Sequence, residues 1–243
     1  MDSFRQTNAP PRRGDRTLVI MAKAPKLGMV KTRLAQSLPP PVVAGLYRCL
    51  LEDTMALAQS LGSVEVAIMC PASDLDELAR LAGDEVRVVA QTGEGLAAGL
   101  TSVFAKFAAA GHPRIIAFNS DSPHLPASVL EGAFEALATC DVVVGPTHDG
   151  GYYLVGAKAT HPGLFNGDGM GTSNALDTLL GRVRALGLSV RVADPFYDID
   201  VASDLLRLDA ELRLSPPRAP RTAAWLAEWR QVVARLKPTT GNS

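Results

Sequence analysis

Cysteine is scarce in this chain. Cys49, Cys70 and Cys140 are its three cysteines, widely spaced and without a C-x-x-C pair. That pattern excludes a disulfide framework and a zinc cluster and fits a reduced interior. No apolar run approaches the ~20 residues a membrane-spanning helix needs, and no apolar region follows the early arginines as a secretory signal would require. A soluble, cytoplasmic protein is expected. Positive charge is not in excess either: 24 Lys and Arg stand against 25 Asp and Glu, for a formal charge of −1. Nucleic-acid binders normally carry a basic surplus, so no nucleic-acid partner is expected. No internal period of 20–50 residues is present, which excludes a repeat architecture. The phosphate-binding spacings G-x-x-x-x-G-K-[ST] and G-x-G-x-x-G are also missing.

Apolar residues, by contrast, make up 47% of the 243 positions and charged residues 20%. That composition supports a substantial core, and the length suits one α/β domain. Short apolar runs predict strands at Thr17–Ala22, Val64–Cys70, Val86–Ala90, from Ile115, at Asp141–Gly145, Tyr152–Gly156 and Leu188–Val192. Between them, apolar residues at helical spacing predict helices from Val43, over Asp74–Ala82, from Gly93 to Ala110, near Ala127–Ala138 and around Leu176–Leu186. Two further helices are predicted at Ala202–Leu212 and Thr222–Leu236. Alternating strands and helices point to a mostly parallel central sheet covered by helices. The expected organisation is a loose tail over 1–16, one domain over 17–212 and a helical extension over 213–243. The apolar stripe Trp225, Trp229, Val232 and Leu236 must pack somewhere. Packing on its own domain is expected, with a homodimer contact as the alternative.

The stretch Ile115–Pro126 concentrates the candidate chemistry. Its strand must end by Pro123, which has no N–H to give a sheet. Ser120 and Asp121 therefore stand at the carboxyl end of a buried strand, where open α/β sheets bind ligands. Three more features fall at strand ends. After the first strand, Lys23, Lys26, Lys31 and Arg33 form a basic loop suited to a polyphosphate, because Arg offers a fork and Lys a point charge. After the strand at Asp141, the stretch Thr147–Tyr153 contains Asp149, Gly150, Gly151, Tyr152 and Tyr153. It reads as a hairpin turn whose glycines allow close approach to a ligand. After the last strand comes Tyr197-Asp-Ile-Asp200. Asp198 and Asp200 lie two apart, so an extended backbone turns both to one side. Together with Asp121 they can offer hard oxygen ligands to Mg²⁺. Capping of the next helix by Asp200 or Ser203 is the structural alternative. Thr172, Ser173 and Asn174 precede a helix whose free N–H groups can attract an anion.

Four ordered stretches carry a resemblance: Met21-Ala-Lys-Ala-Pro-Lys-Leu-Gly-Met-Val-Lys-Thr-Arg-Leu-Ala35, Ser120-Asp-Ser-Pro-His-Leu-Pro126, Asp149-Gly-Gly-Tyr-Tyr-Leu154 and Tyr197-Asp-Ile-Asp200. They resemble a bacterial family whose members are usually labelled glycosyltransferases, some in arsenosugar or radical-SAM gene neighbourhoods. That family is similar to the nucleotide-diphospho-sugar transferases, and within them to 2-phospholactate and molybdenum-cofactor guanylyltransferases. The resemblance implies a Rossmann-like GT-A fold. It also implies a metal-dependent (Mg²⁺ or Mn²⁺) transferase whose partners are a nucleotide and a small-molecule acceptor. Lys31 and Arg33 would meet the phosphates, and Asp121 and Asp200 would hold the metal. Gly171-Thr-Ser-Asn-Ala-Leu176 resembles a Gly-Thr-Asn-Ala-Leu stretch of the phospholactate enzyme. Two marks of those enzymes are missing here, the Gly-x-Gly opening with a following Arg and the Asp-x-Asp of many glycosyltransferases. The expected reaction is nucleotidyl transfer to a phosphorylated or acidic acceptor. Glycosyl transfer from an NDP-sugar, or nucleotide binding without turnover, are the alternatives.

Overall fold

The apolar runs of the sequence become strands β1 (Thr17–Met21), β2 (Glu65–Cys70), β3 (Arg87–Ala90), β4 (Ile115–Asn119), β5 (Val142–Pro146), β6 (Tyr152–Ala157) and β7 (Val190–Val192). The helices are α1 (Pro40–Gln59), α2 (Leu75–Ala82), α3 (Gly95–Ala109), α4 (Ala127–Ala136), α5 (Ala175–Ala185), α6 (Ala202–Leu214) and α7 (Pro220–Val233). The computed structural model describes residues 14–167, 169–214 and 218–236. Most of the tail expected over 1–16, Asp168, the Ser215–Pro217 part of the linker before α7 and residues 237–243 of the expected extension lie outside the described residues.

One seven-stranded sheet has the order β3-β2-β1-β4-β6-β5-β7. All neighbours pair in parallel except β6, which runs antiparallel to both β4 and β5. The strands of the sheet centre are buried on both faces, which is why they read as unbroken apolar runs. Leu18, Ile20, Ile68, Ile116 and Phe118 pack into one layer with Leu51 and Met55 of α1, Leu78 of α2 and Phe134 of α4. Their alternates Val19, Ala67, Met69 and Ala117 face Phe104 of α3 and Leu179 and Val183 of α5. β7 is shorter than the expected Leu188–Val192 because only three residues pair with β5, and all three are exposed at the sheet edge.

A third apolar cluster joins α1 to the two C-terminal helices. Trp225, Leu226 and Val233 of α7 and Leu205 and Leu208 of α6 bury against Val43, Leu46 and Leu50 of α1. Of the tryptophan stripe, Trp225 is thus covered by its own chain, Trp229 and Leu236 are partly buried against the same cluster, and Val232 is exposed. A charged group fixes this docking. Asp53 of α1, 1% exposed, accepts hydrogen bonds from the backbone N–H groups of Arg221 (3.2 Å) and Thr222 (2.7 Å). Those are free donors in the first turn of α7, which a helix cannot satisfy internally. Among the described residues no helix is long and apolar enough to cross a membrane.

The antiparallel β6 decides where the loops fall. Because it reverses between β4 and β5, the 147–151 turn, the carboxyl ends of β1, β4 and β5 and the exit from β7 share one side of the sheet. From β7 the chain then crosses that side as a strap. Ala193 N–H donates to Val144 O (2.8 Å), Phe196 N–H to Pro146 O (3.0 Å) and Ile199 N–H to Asp121 O (3.0 Å). The Tyr153 hydroxyl donates to Asp194 O (3.0 Å). Ile199 points into the core with no exposure. Its neighbours Asp198 and Asp200 are thereby carried beneath the end of β4.

Candidate functional site

Asp121, Asp198 and Asp200 each present a carboxylate oxygen within 4.8 Å of the other two. The first follows β4 and the other two lie on the strap, two residues apart as the sequence spacing requires. The capping alternative is taken by a different residue. Asp204, three positions into the turn, accepts from Asp200 N–H (2.9 Å) and Val201 N–H (2.8 Å) and starts α6. The side chain of Asp200 is left for the site.

Lys31 enters this cluster from the basic loop. Its ammonium lies 2.9 Å from Asp121 Oδ1 and 2.7 Å from Asp200 Oδ1, and its side chain is only 4% exposed. Burial works against the ammonium, but Asp121 and Asp200 outweigh it and hold its pKa above the ordinary lysine value. Burial likewise pushes Asp200 up, and Lys31 and Arg33 outweigh it and draw its pKa down. Asp198 is left unbalanced. Burial, then the charges of Asp200 and Asp121, raise its pKa to about 7. The Lys31 ammonium thus pairs with two of the three carboxylates, and Arg33 reaches Asp200 as well. Lys31 also has a backbone φ of +48°, in the left-handed region, where a non-glycine residue costs on the order of 1–3 kcal/mol. Such strain persists where the surroundings hold it; the ammonium is tied by two ion pairs and the Lys31 carbonyl accepts from Ala35 N–H (3.0 Å).

Beside the cluster opens a cavity of about 1010 Å³, the size of a small-molecule site. Lys23, Lys31, Arg33, Ser120, Asp121 and Asp200 line it. Arg33 is largely exposed, its guanidinium 3.8 Å from Asp200 Oδ2. Lys26 is outside the lining. Its ammonium is bound by Asp74 Oδ1 (2.5 Å) and Ser73 O (3.0 Å). Asp74 also accepts from Ala24 N–H (3.0 Å), so this ion pair shapes the loop.

Three lining groups were not singled out from sequence. The buried hydroxyl of Tyr47 of α1 accepts from Lys23 N–H (3.1 Å) and shares a hydrogen bond with Ser120 Oγ (3.0 Å), joining the loop to the end of β4. Its place in the apolar stripe of α1 gives no hint of this. The turn Gly93–Leu96 forms a second wall. The carboxamide of Gln91 braces it by donating to Gly93 O (3.0 Å) and Gly95 O (3.2 Å). Here the paired glycines were a usable signal. Met21, Met29 and Met69 complete an apolar side.

The remaining expected residues gather elsewhere. Asp149 closes its own turn, accepting from Thr147 Oγ1 (2.6 Å) and Gly151 N–H (3.2 Å). Gly150 has φ +86°, and a Cβ there would lie 1.9 Å from Ser173 O. This close approach docks the 147–151 turn onto Thr172, Ser173 and Asn174, with Leu176 N–H donating to Gly150 O (3.0 Å). The Tyr152 hydroxyl donates to Met170 O (3.2 Å). Asp149, Gly150, Gly151, Tyr152, Thr172, Ser173 and Asn174 do not line the cavity.

A donor set of three carboxylates with uncompensated charge suits a hard divalent cation, which takes one or two carboxylates plus substrate phosphates. The residues present fit Mg²⁺ or Mn²⁺.

Comparison with known proteins agrees with this architecture. The model of a family described as an uncharacterized protein conserved in bacteria (DUF2064) matches residues 54–172. No curated protein matches by sequence. Among solved structures, a candidate nucleotide-diphospho-sugar transferase from Desulfovibrio desulfuricans G20 is similar at 26% identity. The match covers 91% of this chain and 98% of that one, with a TM-score of 0.85. A nucleotidyl transferase from a Methanothermobacter species shares 23% identity, a TM-score of 0.59, 83% of this chain and 100% of its own. The 4-diphosphocytidyl-2C-methyl-D-erythritol synthase of Anaerococcus prevotii DSM 20548 shares 13% identity and a TM-score of 0.55 over 82% and 97% of the two chains. The last two show a shared fold.

Proposed function

We propose that this protein is a metal-dependent transferase that binds a nucleotide in the cavity beside Asp121. Its reaction is nucleotidyl transfer from an NTP to a phosphorylated or acidic small molecule, with release of pyrophosphate. The observation that carries this reading is the meeting of Lys23, Lys31 and Arg33 with Asp121 and Asp200 on one rim of the cavity, with Asp198 beside them in the same carboxylate cluster. Cations beside an acidic cluster suit a ligand that is both polyanionic and metal-bound. The nucleotidyl transferases that share the fold support it further.

An acceptor oxygen would form a bond to the α-phosphorus while the bond from that phosphorus to the α–β bridging oxygen breaks and pyrophosphate leaves. No covalent nucleophile from the protein is needed. Such transfer depends on positioning and on charge stabilisation at the phosphoryl oxygens. Arg33 supplies a forked donor to those oxygens and Lys23 a point charge. The Gly93–Leu96 wall and the methionines give an apolar face to the rest of the ligand. When bound, the divalent ion held by Asp121, Asp198 and Asp200 would neutralise charge on the phosphates.

Glycosyl transfer from an NDP-sugar is the second reading. The Desulfovibrio chain, described as a candidate nucleotide-diphospho-sugar transferase, favours it. The two readings separate by product. Pyrophosphate released from an NTP supports the first, and NDP released from an NDP-sugar the second. Tight nucleotide binding with neither product would mean a binding module. Asp121→Asn keeps the shape of the side chain and removes its charge. It should abolish most turnover with the fold intact, and chelator should do the same to the wild type. Normal activity in either case would refute the metal assignment.

A further inference from the structure

The position of Lys31 does not fit a simple phosphate ligand. Its ammonium occupies the space between Asp121 Oδ1 and Asp200 Oδ1, at 2.9 and 2.7 Å. A magnesium ion on the same oxygens would sit about 2.0–2.1 Å from each. Two cations cannot share that volume, and their charges repel. We infer that Lys31 is a displaceable internal cation: it holds the carboxylates while the divalent ion is away, and it must leave when the ion enters. This inference rests on the proposed function, because it takes Asp121, Asp198 and Asp200 as the seat of the metal and the cavity as the seat of the nucleotide.

Three further observations bear on the exchange. The first is the charge balance. Lys31 pairs with Asp121 and Asp200 and Arg33 reaches Asp200 at 3.8 Å, but among the described residues Asp198 makes no ion pair within 4.0 Å, so one carboxylate is left for a divalent ion to match. The second is the backbone. Lys31 has a left-handed φ of +48°, a conformation costly for a non-glycine residue, so a second position of the loop that changes it can relieve strain. The third is the surrounding loop. Leu27, Gly28, Met29, Thr32 and Arg33 are exposed, and between Lys26 and Leu34 only Val30 and the paired side chain of Lys31 are buried. A loop attached so lightly can carry Lys31 to a second position.

The cavity rim supplies that position. Once the ammonium leaves the carboxylates, the anionic groups of a bound polyphosphate are its new partners. Divalent ion and nucleotide then each favour the other. The ion frees Lys31 for the phosphates, and the phosphates hold Lys31 away from the ion. By linkage this coupling is reciprocal. In the absence of nucleotide the wild type binds the divalent ion weakly, because the ion must first displace a buried, doubly paired ammonium. Lys31 is in this sense an internal competitor that ties metal binding to substrate binding.

The test measures Mn²⁺ binding to nucleotide-free protein, following free Mn²⁺ by electron paramagnetic resonance. Lys31→Met removes the competitor and should bind Mn²⁺ at least tenfold more tightly than the wild type. Lys31→Arg keeps a cation in place and should gain no affinity. Equal or weaker binding by Lys31→Met overturns the inference. If the methionine variant does not fold, the wild type answers alone. Acylation of lysines followed by mass spectrometry should find Lys31 protected without metal and reactive at saturating Mn²⁺. Persistent protection at saturation overturns the exchange. Pyrophosphate release is scored separately. Turnover without Mn²⁺ tightening in Lys31→Met sinks the exchange and leaves the transferase reading standing. Tightening and unmasking without turnover of any NTP or NDP-sugar keeps the exchange and sinks that reading.

Discussion

Replacing His124 by phenylalanine should make the protein more resistant to acid. His124 follows the end of β4, is 3% exposed, and packs against the rings of Phe196 (4.8 Å) and Tyr197 (4.5 Å) on the strap. Neither ring nitrogen has a hydrogen-bond partner. Burial lowers its pKa from 6.5 to about 4, with Glu211 opposing and Arg207 and Arg218 adding to the shift. The folded imidazole therefore holds a proton less tightly than the unfolded one. Between pH 6.5 and 4 the unfolded chain takes up more protons, so stability falls as the pH drops through that window. At pH 5 the loss comes to ~2 kcal/mol, and at pH 7.5 it is close to nothing, given about 1.36 kcal/mol for each pKa unit. Phenylalanine keeps an aromatic ring in the site and has no proton to bind. Urea unfolding of wild type and His124→Phe at both pH values, followed by the fluorescence of Trp225 and Trp229, measures the difference directly. Other titrating groups are common to both proteins and cancel. The variant should gain ~2 kcal/mol on the wild type between pH 7.5 and 5. A gap between the two proteins that does not change with pH would refute the argument.

Three other substitutions probe separate links. If Arg33 meets the phosphates as proposed, Arg33→Ala should remove a charge-assisted contact worth roughly 1.5–3 kcal/mol, a ten- to hundredfold loss in nucleotide affinity that shrinks with added salt. Its melting temperature without ligand should barely move; the reverse pattern in calorimetry and thermal melts would make Arg33 structural. Gly150→Ala forces a Cβ to within 1.9 Å of Ser173 O at a left-handed backbone. It should cost ~2 kcal/mol or more in urea unfolding, and a neutral result would mean that the turn does not dock as described. Asp53→Ala strips the first turn of α7 of its acceptor and leaves buried N–H groups unpaired. A loss of about 1–3 kcal/mol is expected, with faster proteolysis of the C-terminal helix than of the sheet.

The elements were legible because each strand and helix writes its own period into adjacent residues. β1, β4 and α1 were foreseen for that reason, with only their ends adjusted. The meeting of Asp121, Asp198 and Asp200 followed from strand ends and a spacing of two. The reversal of β6 between β4 and β5 was not legible, since pairing partners far apart in sequence leave no local mark. Lys31 shows the same limit. Its charge suggested a phosphate, but only the crossing of the strap reveals that two carboxylates reach it first. Lys26 looked equivalent in the sequence, and Asp74 holds it elsewhere. The burial of Asp53 was hidden too, because its partners are backbone donors 168 and 169 residues away.

The strap also has a consequence for how the protein comes into being. Lys31 and Asp200 are 169 residues apart in the chain, and contacts of such separation are made only after their long loop has been closed, at an entropic cost that grows slowly with length. β1, β2 and β4 can pair while the strap is still unmade, so a nascent or C-terminally clipped chain can hold much of its sheet and yet have no carboxylate pair for Lys31. On the proposed function, ligand binding would thus be acquired only once the strap has closed and would be lost when the strap is cut. On that function, capacity to bind nucleotide would therefore report whether the strap is in place.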